Sequence, residues 1–243
     1  MSDDSGITRR AAPAVRRPEQ VPARPVAPGV TVRELLTDAE GSRGLHQRRL
    51  SLTGGALVTG TARGLGEAWY VISGSGTLDA GAHGTAVLVP GTAVWIGESL
   101  PYECLARPEA DLEVLAVVVR AGPAGQADWP AWQVVTLDAC APERTGDREF
   151  RVLLSAGLTI TQFAGLIPPG RAPAHQHDYD EVVHVLAGHG VVHLPGGETE
   201  IGPGTSIYLP PHTPHCLENT GRDLLQVLGV FYPAGSPAAK QTA

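Results

Sequence analysis

The chain has 243 residues, of which 42% are hydrophobic and 18% charged, and its formal net charge at pH 7 is -7. This content can bury a core in one large β unit or in two small domains, and the negative charge argues against a nucleic-acid partner. The sequence has no apolar run of about 18 residues and no signal-peptide core, and its three cysteines form no paired motif. We therefore expect no membrane partner and a cytoplasmic protein with reduced thiols.

The first 28 residues are rich in proline, alanine and arginine. Such a segment buries too little apolar area to offset its ordering entropy, which predicts a disordered tail over 1–28, or one that wraps loosely on the body. From residue 30 onward, short apolar runs alternate with glycine, proline and aspartate, a pattern typical of strands. Only 32–37 and a few loop stretches look mildly helical. The sequence therefore predicts an all-β protein.

An internal repeat organises the body of the chain. Residues 69–76 align with residues 183–190 at an offset of 114, and residues 91–96 align with residues 204–209 at an offset of 113. Two successive alignments whose offsets differ by one residue rarely arise by chance. The repeat predicts a first copy over 29–125, a linker over 126–148, a second copy over 149–235 and a tail over 236–243.

Candidate metal ligands lie in the second copy, where seven of the nine histidines fall between residues 175 and 215. His175 and His177 stand at i and i+2, so on a strand they face one side. Glu181 opens an apolar run, where an ionised carboxylate is costly to bury without a cation. With His215, these residues offer three imidazoles and a carboxylate, which predicts one divalent transition metal: Fe, Mn, Zn or Ni.

The glycines and prolines around these residues complete a pattern that resembles the two motifs of the cupin superfamily. The matching residues are Gly170, His175, His177, Glu181 and Gly188 in the first motif, and Gly204, Pro210, His215 and Asn219 in the second. Two departures are one residue fewer between Gly170 and His175, and His212 where the second motif usually has glycine. The resemblance implies a small antiparallel barrel that holds a metal inside. Together with the repeat, it implies a bicupin, two tandem jelly-roll-like β-barrels.

The first copy has lost most of the ligand set. The same offsets place Thr61, Arg63, Glu67 and Tyr102 opposite His175, His177, Glu181 and His215, respectively. Only the carboxylate survives, and a buried Glu67 would need another cation. We predict an Arg63–Glu67 ion pair with the Tyr102 hydroxyl as a further donor. The alternative is that Arg63 points to solvent from a glycine-rich loop.

Three further residues are candidates for the substrate pocket. Gln162, on the strand that leads to the first motif, would hydrogen-bond a substrate or a metal-bound water if it faced inward, and Tyr179 is close enough in sequence to reach the cavity. His212 is placed to orient a ligand or shape the pocket mouth. His184, by contrast, should point away from the metal because side chains alternate along a strand.

The sequence leaves three functional classes open. The first, which we favour, is an Fe(II) dioxygenase acting on an enolic or catechol-like substrate. The second is a redox-neutral isomerase, cyclase or hydrolase that uses Mn, Zn or Ni, and the third is a non-enzymatic small-molecule-binding protein. In either enzyme Glu181 is the natural catalytic base. An enzyme is favoured because a complete ligand set beside a decayed copy suggests one retained site.

Other chemistries lack the residues they need. The single lysine, Lys240, lies in the C-terminal tail, and the sequence contains neither a glycine-rich phosphate loop nor a nucleophile elbow. The expected partner is a small, largely hydrophobic organic molecule with one or two oxygen donors. Self-association into a homo-oligomer through exposed strand edges stays open.

Overall fold

The computed structural model of the protein describes residues 11–120, 129–155, 157–158 and 160–238. In this part of the chain nearly all regular structure is β-strand. The strands of the first half are β1 Ala14–Arg16, β2 Arg24–Ala27, β3 Val30–Leu36, β4 Leu45–Leu52, β5 Leu57–Thr61, β6 Gly66–Gly74, β7 Gly76–Asp79, β8 Thr85–Leu88, β9 Thr92–Gly97, β10 Pro101–Ala106 and β11 Leu112–Val119.

The second half repeats this series after a connection. Its strands are β12 Trp132–Thr136, β13 Glu143–Thr145, β14 Arg148–Leu154, β15 Thr161–Ile167, β16 Gly170–Arg171, β17 Asp180–Ala187, β18 Gly190–Leu194, β19 Gly197–Ile201, β20 Ser206–Leu209, β21 Cys216–Asn219 and β22 Leu225–Tyr232. Short 3-10 turns lie at Pro18–Gln20, Asp38–Glu40, Gly81–His83 and Leu137–Ala139. In the described part of the chain, none of the helical segments has the length and apolar character needed to cross a membrane.

The strands form two antiparallel barrels, each made of a seven-stranded and a four-stranded sheet. The first barrel combines the order β12-β9-β6-β11-β4-β3-β2 with the order β5-β10-β7-β8. The second combines β1-β20-β17-β22-β15-β14-β13 with β16-β21-β18-β19. The prediction of an all-β protein with two tandem barrels is therefore confirmed.

Each barrel takes one edge strand from the other half of the chain. Strand β1 pairs with β20 of the second barrel, with Ala14 opposite Tyr208. Strand β12 pairs with β9 of the first barrel, with Trp132 opposite Ile96. The predicted disordered tail is thus wrong for residues 11–28, which contain β1 and β2, because an open sheet edge supplies the backbone partners that the composition alone does not reveal. Residues 1–10 lie outside the described part.

Two further expectations about local structure are corrected. The stretch 32–37 looked helical, but residues 30–36 form strand β3, held by β4 on one side and β2 on the other. The predicted linker 126–148 contains β12 and β13, and its last residue, Arg148, begins β14. Pairing with distant strands decides both cases, since local propensity is weak against tertiary contacts.

The core has three layers, which follow from side-chain alternation along the strands. Apolar side chains fill the interior of each barrel, and a third layer packs the two seven-stranded sheets against each other. On β17, Val183 faces the interior of the second barrel, while Val182 joins Trp95 and Tyr208 in the layer between the barrels. This alternation determines which residues of β17 can face the metal ligands.

Candidate metal centre

A short backbone bridge brings the two motifs of the second barrel together. His175 and His215 exchange backbone hydrogen bonds, with His175 N 3.0 Å from His215 O and His215 N 2.8 Å from His175 O. His177 follows two residues later and faces the same side. One ring nitrogen of each histidine lies within 4.8 Å of the others, as a shared metal ion requires. Within the described residues no other cluster of three or more potential ligands is this compact.

In two of these rings, the Nδ1 atom forms a hydrogen bond with a backbone carbonyl oxygen. His175 Nδ1 lies 3.1 Å from the carbonyl oxygen of Pro173, and His215 Nδ1 lies 2.8 Å from that of Thr213. A carbonyl oxygen only accepts, so each Nδ1 carries the proton and donates. The lone pair of each ring is then on Nε2, on the side of the cluster, which is the arrangement usual for metal-bound histidines.

Glu181 completes the cluster from the start of β17. Its Oε2 atom lies 3.6 Å from Nε2 of both His177 and His215, and this oxygen is buried without a hydrogen-bond partner. Burial raises the pKa of Glu181 to about 8. Burial also lowers the pKa of His177 to about 3 and that of His215 to about 4, and the neighbouring imidazoles add to this effect.

These contacts are not ion pairs, because imidazoles with such low pKa values are neutral at physiological pH. A buried carboxylate oxygen without a donor is costly, and the neutral imidazoles of His177 and His215 cannot neutralise its charge. A divalent cation would satisfy the carboxylate and the three nitrogens at once. The donor set therefore fits a first-row transition metal held by His175, His177, Glu181 and His215.

The pocket beside the cluster is largely apolar. The aromatic rings of Phe150, Phe163 and Phe231 line it, and Phe163 and Phe231 pack with ring centroids 4.8 Å apart. Val183 and Leu217 also line it, whereas Val185 belongs to the barrel core. The polar lining consists of Thr145, Arg148 and Glu149 besides the four candidate ligands.

Tyr179 supports a ligand and does not line the pocket. Its ring stacks on His177 with centroids 4.8 Å apart and planes 13° apart, and its hydroxyl donates to the carbonyl of Ser236 at 3.3 Å. A Cβ on Gly235 would lie 2.3 Å from the Tyr179 ring, so this position requires glycine. The expectation that Tyr179 reaches the cavity is wrong because its hydroxyl is directed to the C-terminal segment.

Gln162 also departs from expectation. It is fully buried, yet neither of its side-chain amide atoms has a hydrogen-bond partner. It lies opposite Val230, in the layer between the barrels, while its neighbour Phe163 faces the pocket. Gln162 therefore does not face inward, and the expectation that it reaches the cavity is wrong, because side chains alternate along the strand and Phe163 takes the inward position.

His212 contributes through its backbone. Its N–H donates to the carbonyl of His177 at 2.6 Å, while its exposed side chain lies 3.1 Å from Asp178 at the surface. Its φ of 60° is in the left-handed region, which explains why glycine is usual at this position of the motif. The side chain does not line the pocket. His184 points away from the cluster as predicted, and its Nδ1 lies 2.9 Å from Ser206 Oγ.

The corresponding region of the first barrel is organised differently. Thr61 and Arg63 are exposed, whereas Glu67 and Tyr102 are buried. The Arg63 guanidinium lies 3.8 Å from Glu34, and only the Arg63 backbone N–H donates to Glu67, at 3.0 Å. The predicted Arg63–Glu67 ion pair is therefore wrong, because the loop carries the Arg63 side chain outside the barrel.

The cation that neutralises Glu67 is Arg48, which sequence reasoning missed. Arg48 Nη2 lies 2.6 Å from Glu67 Oε2, and Trp69 Nε1 donates to the same oxygen at 2.8 Å. Tyr102 packs edge-on against Trp69, and burial raises its pKa against the opposing effect of Arg48. The available signal was that Arg48 lies on the same face of β4 as Leu50 and Leu52, which belong to the core of the first barrel.

Comparison with known proteins identifies the family of the second barrel, which carries the histidine cluster. Residues 164–231 match the sequence model of the Cupin domain family. The second barrel is a cupin domain. A curated relative of this cupin, an uncharacterized protein of Methanocaldococcus jannaschii, MJ1618, is 36% identical over 79 residues, or 32% of the chain. The match spans 63% of that relative's length.

Solved structures extend the likeness to both barrels. Protein Ylba from E. coli aligns over 95% of this chain and 94% of its own chain, with a TM-score of 0.75 and 16% identity. Oxalate decarboxylase from Lactobacillus farciminis aligns over 90% and 86%, respectively, with a TM-score of 0.74 and 16% identity. Oxalate decarboxylase OxdC from Bacillus subtilis aligns over 91% and 78%, with a TM-score of 0.72 and 16% identity. At these identities the likeness shows the two-barrel cupin fold.

Proposed function

We propose that this cupin is a mononuclear metal-dependent enzyme acting on a small organic substrate, and that its reaction is an Fe(II)-dependent dioxygenation. The observation that supports the proposal is the placement of the cluster: His175, His177 and His215 converge with Glu181 at one side of a pocket lined mainly by apolar side chains. Ligands of these types suit iron as well as manganese, zinc and nickel.

The pocket favours oxygen chemistry because of what surrounds the cluster. Phenylalanine, valine and leucine side chains exclude water and admit apolar molecules, among them dioxygen and an aromatic or enolic substrate. When bound, iron supplies the redox chemistry with dioxygen that no side chain of this chain can supply. The protein contributes the orientation of the substrate and the removal of its proton.

Glu181 is the residue placed to move that proton. Its carboxylate lies inside the pocket, with Oε2 3.6 Å from Nε2 of both His177 and His215, so a substrate that approaches the cluster comes within reach of it. His175 and His215 stay fixed through their hydrogen bonds to backbone carbonyls, and His177 is supported by the stacked ring of Tyr179. These contacts keep the ligands in place while Glu181 changes its charge.

A redox-neutral reaction is the second candidate. An isomerase, cyclase or hydrolase would use the same residues with manganese, zinc or nickel as a Lewis acid. Its support is the likeness to Bacillus subtilis oxalate decarboxylase, one structure of which was determined in work on that enzyme's Mn(II) centres. A binding protein without catalysis would keep the same cluster and pocket.

Metal analysis followed by activity measurement tests the proposal. We expect elemental analysis of the purified protein to find about one transition metal per chain, and Fe(II)-loaded protein to consume oxygen with a member of a panel of enolic and aromatic acids. Conversion of a substrate without oxygen uptake would favour the redox-neutral enzyme, and tight binding without turnover would favour the binding protein.

Two histidine variants control this experiment. His177→Ala removes a candidate ligand, and we expect loss of both metal and activity. His189→Ala changes an exposed histidine that is not part of the cluster, and we expect it to behave like the parent protein. Full metal retention in His177→Ala would contradict the ligand assignment.

A further inference from the structure

An arginine lies in the same pocket as the candidate metal ligands. Arg148 begins β14 and pairs with Thr145 across a short hairpin. It stands two residues before Phe150, and both side chains line the pocket, as residues at i and i+2 of a strand do. In the sequence, Arg148 falls at the end of the predicted linker, where no role was expected for it.

The charge of Arg148 is not matched by a neighbouring acid. Its Nε atom is buried without a hydrogen-bond partner, and among the described residues its guanidinium forms no ion pair. The adjacent carboxylate, Glu149, lies 3.4 Å from Arg144 and 3.8 Å from Arg151. The pocket therefore holds a guanidinium with a free donor beside a carboxylate that other arginines already neutralise.

This arrangement favours an anion in the pocket. A partly buried guanidinium loses hydrogen bonds to water, and only acceptors that match its planar donors can replace them. A carboxylate is the best match. A divalent cation together with Glu181 would add a further net positive charge. Positive charge within apolar walls attracts and concentrates anionic ligands.

We propose that Arg148 binds a carboxylate of the substrate, so that the substrate class is a small apolar organic acid. The proposal rests on the proposed function for the assignment of this pocket as the substrate site. Phe150, Phe163 and Phe231 contact the apolar body of the acid, and Arg148 receives its carboxylate, leaving the opposite end of the molecule directed at the cluster. The other arginine near the motif, Arg171, is exposed and donates to Cys216 Sγ at 3.3 Å, away from the pocket.

Binding of two matched ligands tests the role of Arg148. Benzoate and benzamide have the same ring and nearly the same shape, but only benzoate carries a charge. We expect calorimetry to find benzoate bound about 10- to 100-fold more tightly than benzamide by the parent protein, as a charge-assisted hydrogen bond predicts. Titrations of Zn(II)-loaded and metal-free protein separate the contribution of Arg148 from that of the metal.

Variants complete the test. Arg148→Met should remove the preference for benzoate in metal-free protein while leaving the metal content unchanged, and Arg171→Met, the matched control, should keep both. If Arg148→Met does not fold, Arg148→Gln gives the same comparison with a polar side chain of similar reach. Equal or undetectable binding of the two ligands by the parent protein, or an unchanged preference in the Arg148 variants, would overturn the proposal.

The outcomes distinguish this proposal from the one on which it rests. If the protein holds no metal and turns over no substrate, yet its preference for benzoate depends on Arg148, the proposed enzyme fails and the anion site stands. If an acid is turned over and Arg148→Met leaves both KM and kcat unchanged, the anion site fails and the enzyme stands. The expected result is a raised KM with a smaller change in kcat.

Discussion

Arg48 and Phe163 occupy equivalent positions in the two barrels. Arg48 lies opposite Ala116, two residues before the partner of Glu67 on β11, and Phe163 lies opposite Gly229, two residues before the partner of Glu181 on β22. The first barrel thus neutralises its buried glutamate with an internal cation, at 2.6 Å. The second has a neutral ring in that place, which leaves Glu181 to be neutralised by a metal.

Introducing an internal cation into the second barrel should displace the metal. In Phe163→Arg we expect the guanidinium to reach Glu181, as Arg48 reaches Glu67, and bound metal to fall at least about tenfold, equivalent to about 1.4 kcal/mol of binding. The measurement is metal per chain after gel filtration. Phe163→Leu, which removes the ring without adding charge, should retain metal, and full retention by Phe163→Arg would contradict the equivalence.

Removing the cation from the first barrel should destabilise the fold. Arg48→Met leaves Glu67 buried without a neutralising charge, and breaking such a pair typically costs about 3–5 kcal/mol. Urea unfolding of the variant measures this loss. Adding Glu67→Gln to Arg48→Met should recover a large part of it, because the uncompensated charge disappears. A loss below about 1 kcal/mol in the single variant would mean that solvent reaches Glu67.

Gly229 supports the pocket by leaving room for Phe163. A Cβ at this position would lie 2.3 Å from two atoms of the Phe163 ring, closer than packing allows. Gly229→Ala should therefore cost about 1–3 kcal/mol and shift the ring within the pocket. Thermal unfolding and benzoate affinity report the two effects. The control is Gly196→Ala, where nothing lies within 4 Å of the added atom and neither quantity should change.

The buried histidine between the barrels should make stability depend on pH. Burial lowers the pKa of His184 to about 3, and the charge of Arg49 adds to the effect. The folded state therefore binds fewer protons than the unfolded state between about pH 6.5 and pH 3, so the contribution of His184 is fully present above this window. It is lost as the pH falls, by up to about 1.4 kcal/mol per unit.

A variant isolates this contribution from that of other groups. His184→Gln cannot gain a proton in this range, and its amide can still hydrogen-bond Ser206. We expect the free energy of unfolding to fall less between pH 7 and pH 5 in the variant than in the parent protein. Identical pH profiles would show that His184 retains its proton affinity in the folded chain.

The features that could be predicted well from the sequence are those set by local spacing. Strand alternation and the turn chemistry around His175, His177 and Glu181 act over a few residues, so the spacing alone was enough to infer their convergence. Arg48 could not be assigned in this way, because it lies on β4 and reaches Glu67 on β6 across the intervening β11. The face of Gln162 could not be inferred either, because a difference of one residue in the position of a strand reverses the face of every side chain.

The exchanged edge strands tie the two halves into one folding unit. A fragment that began at residue 129 would carry β12 without its partner β9 and would lack β1, which covers the edge of β20. That edge would be an open template for pairing with other chains. We therefore expect that the half that carries the histidine cluster does not fold on its own. During synthesis, neither barrel can complete its seven-stranded sheet until the chain has been made at least through β12.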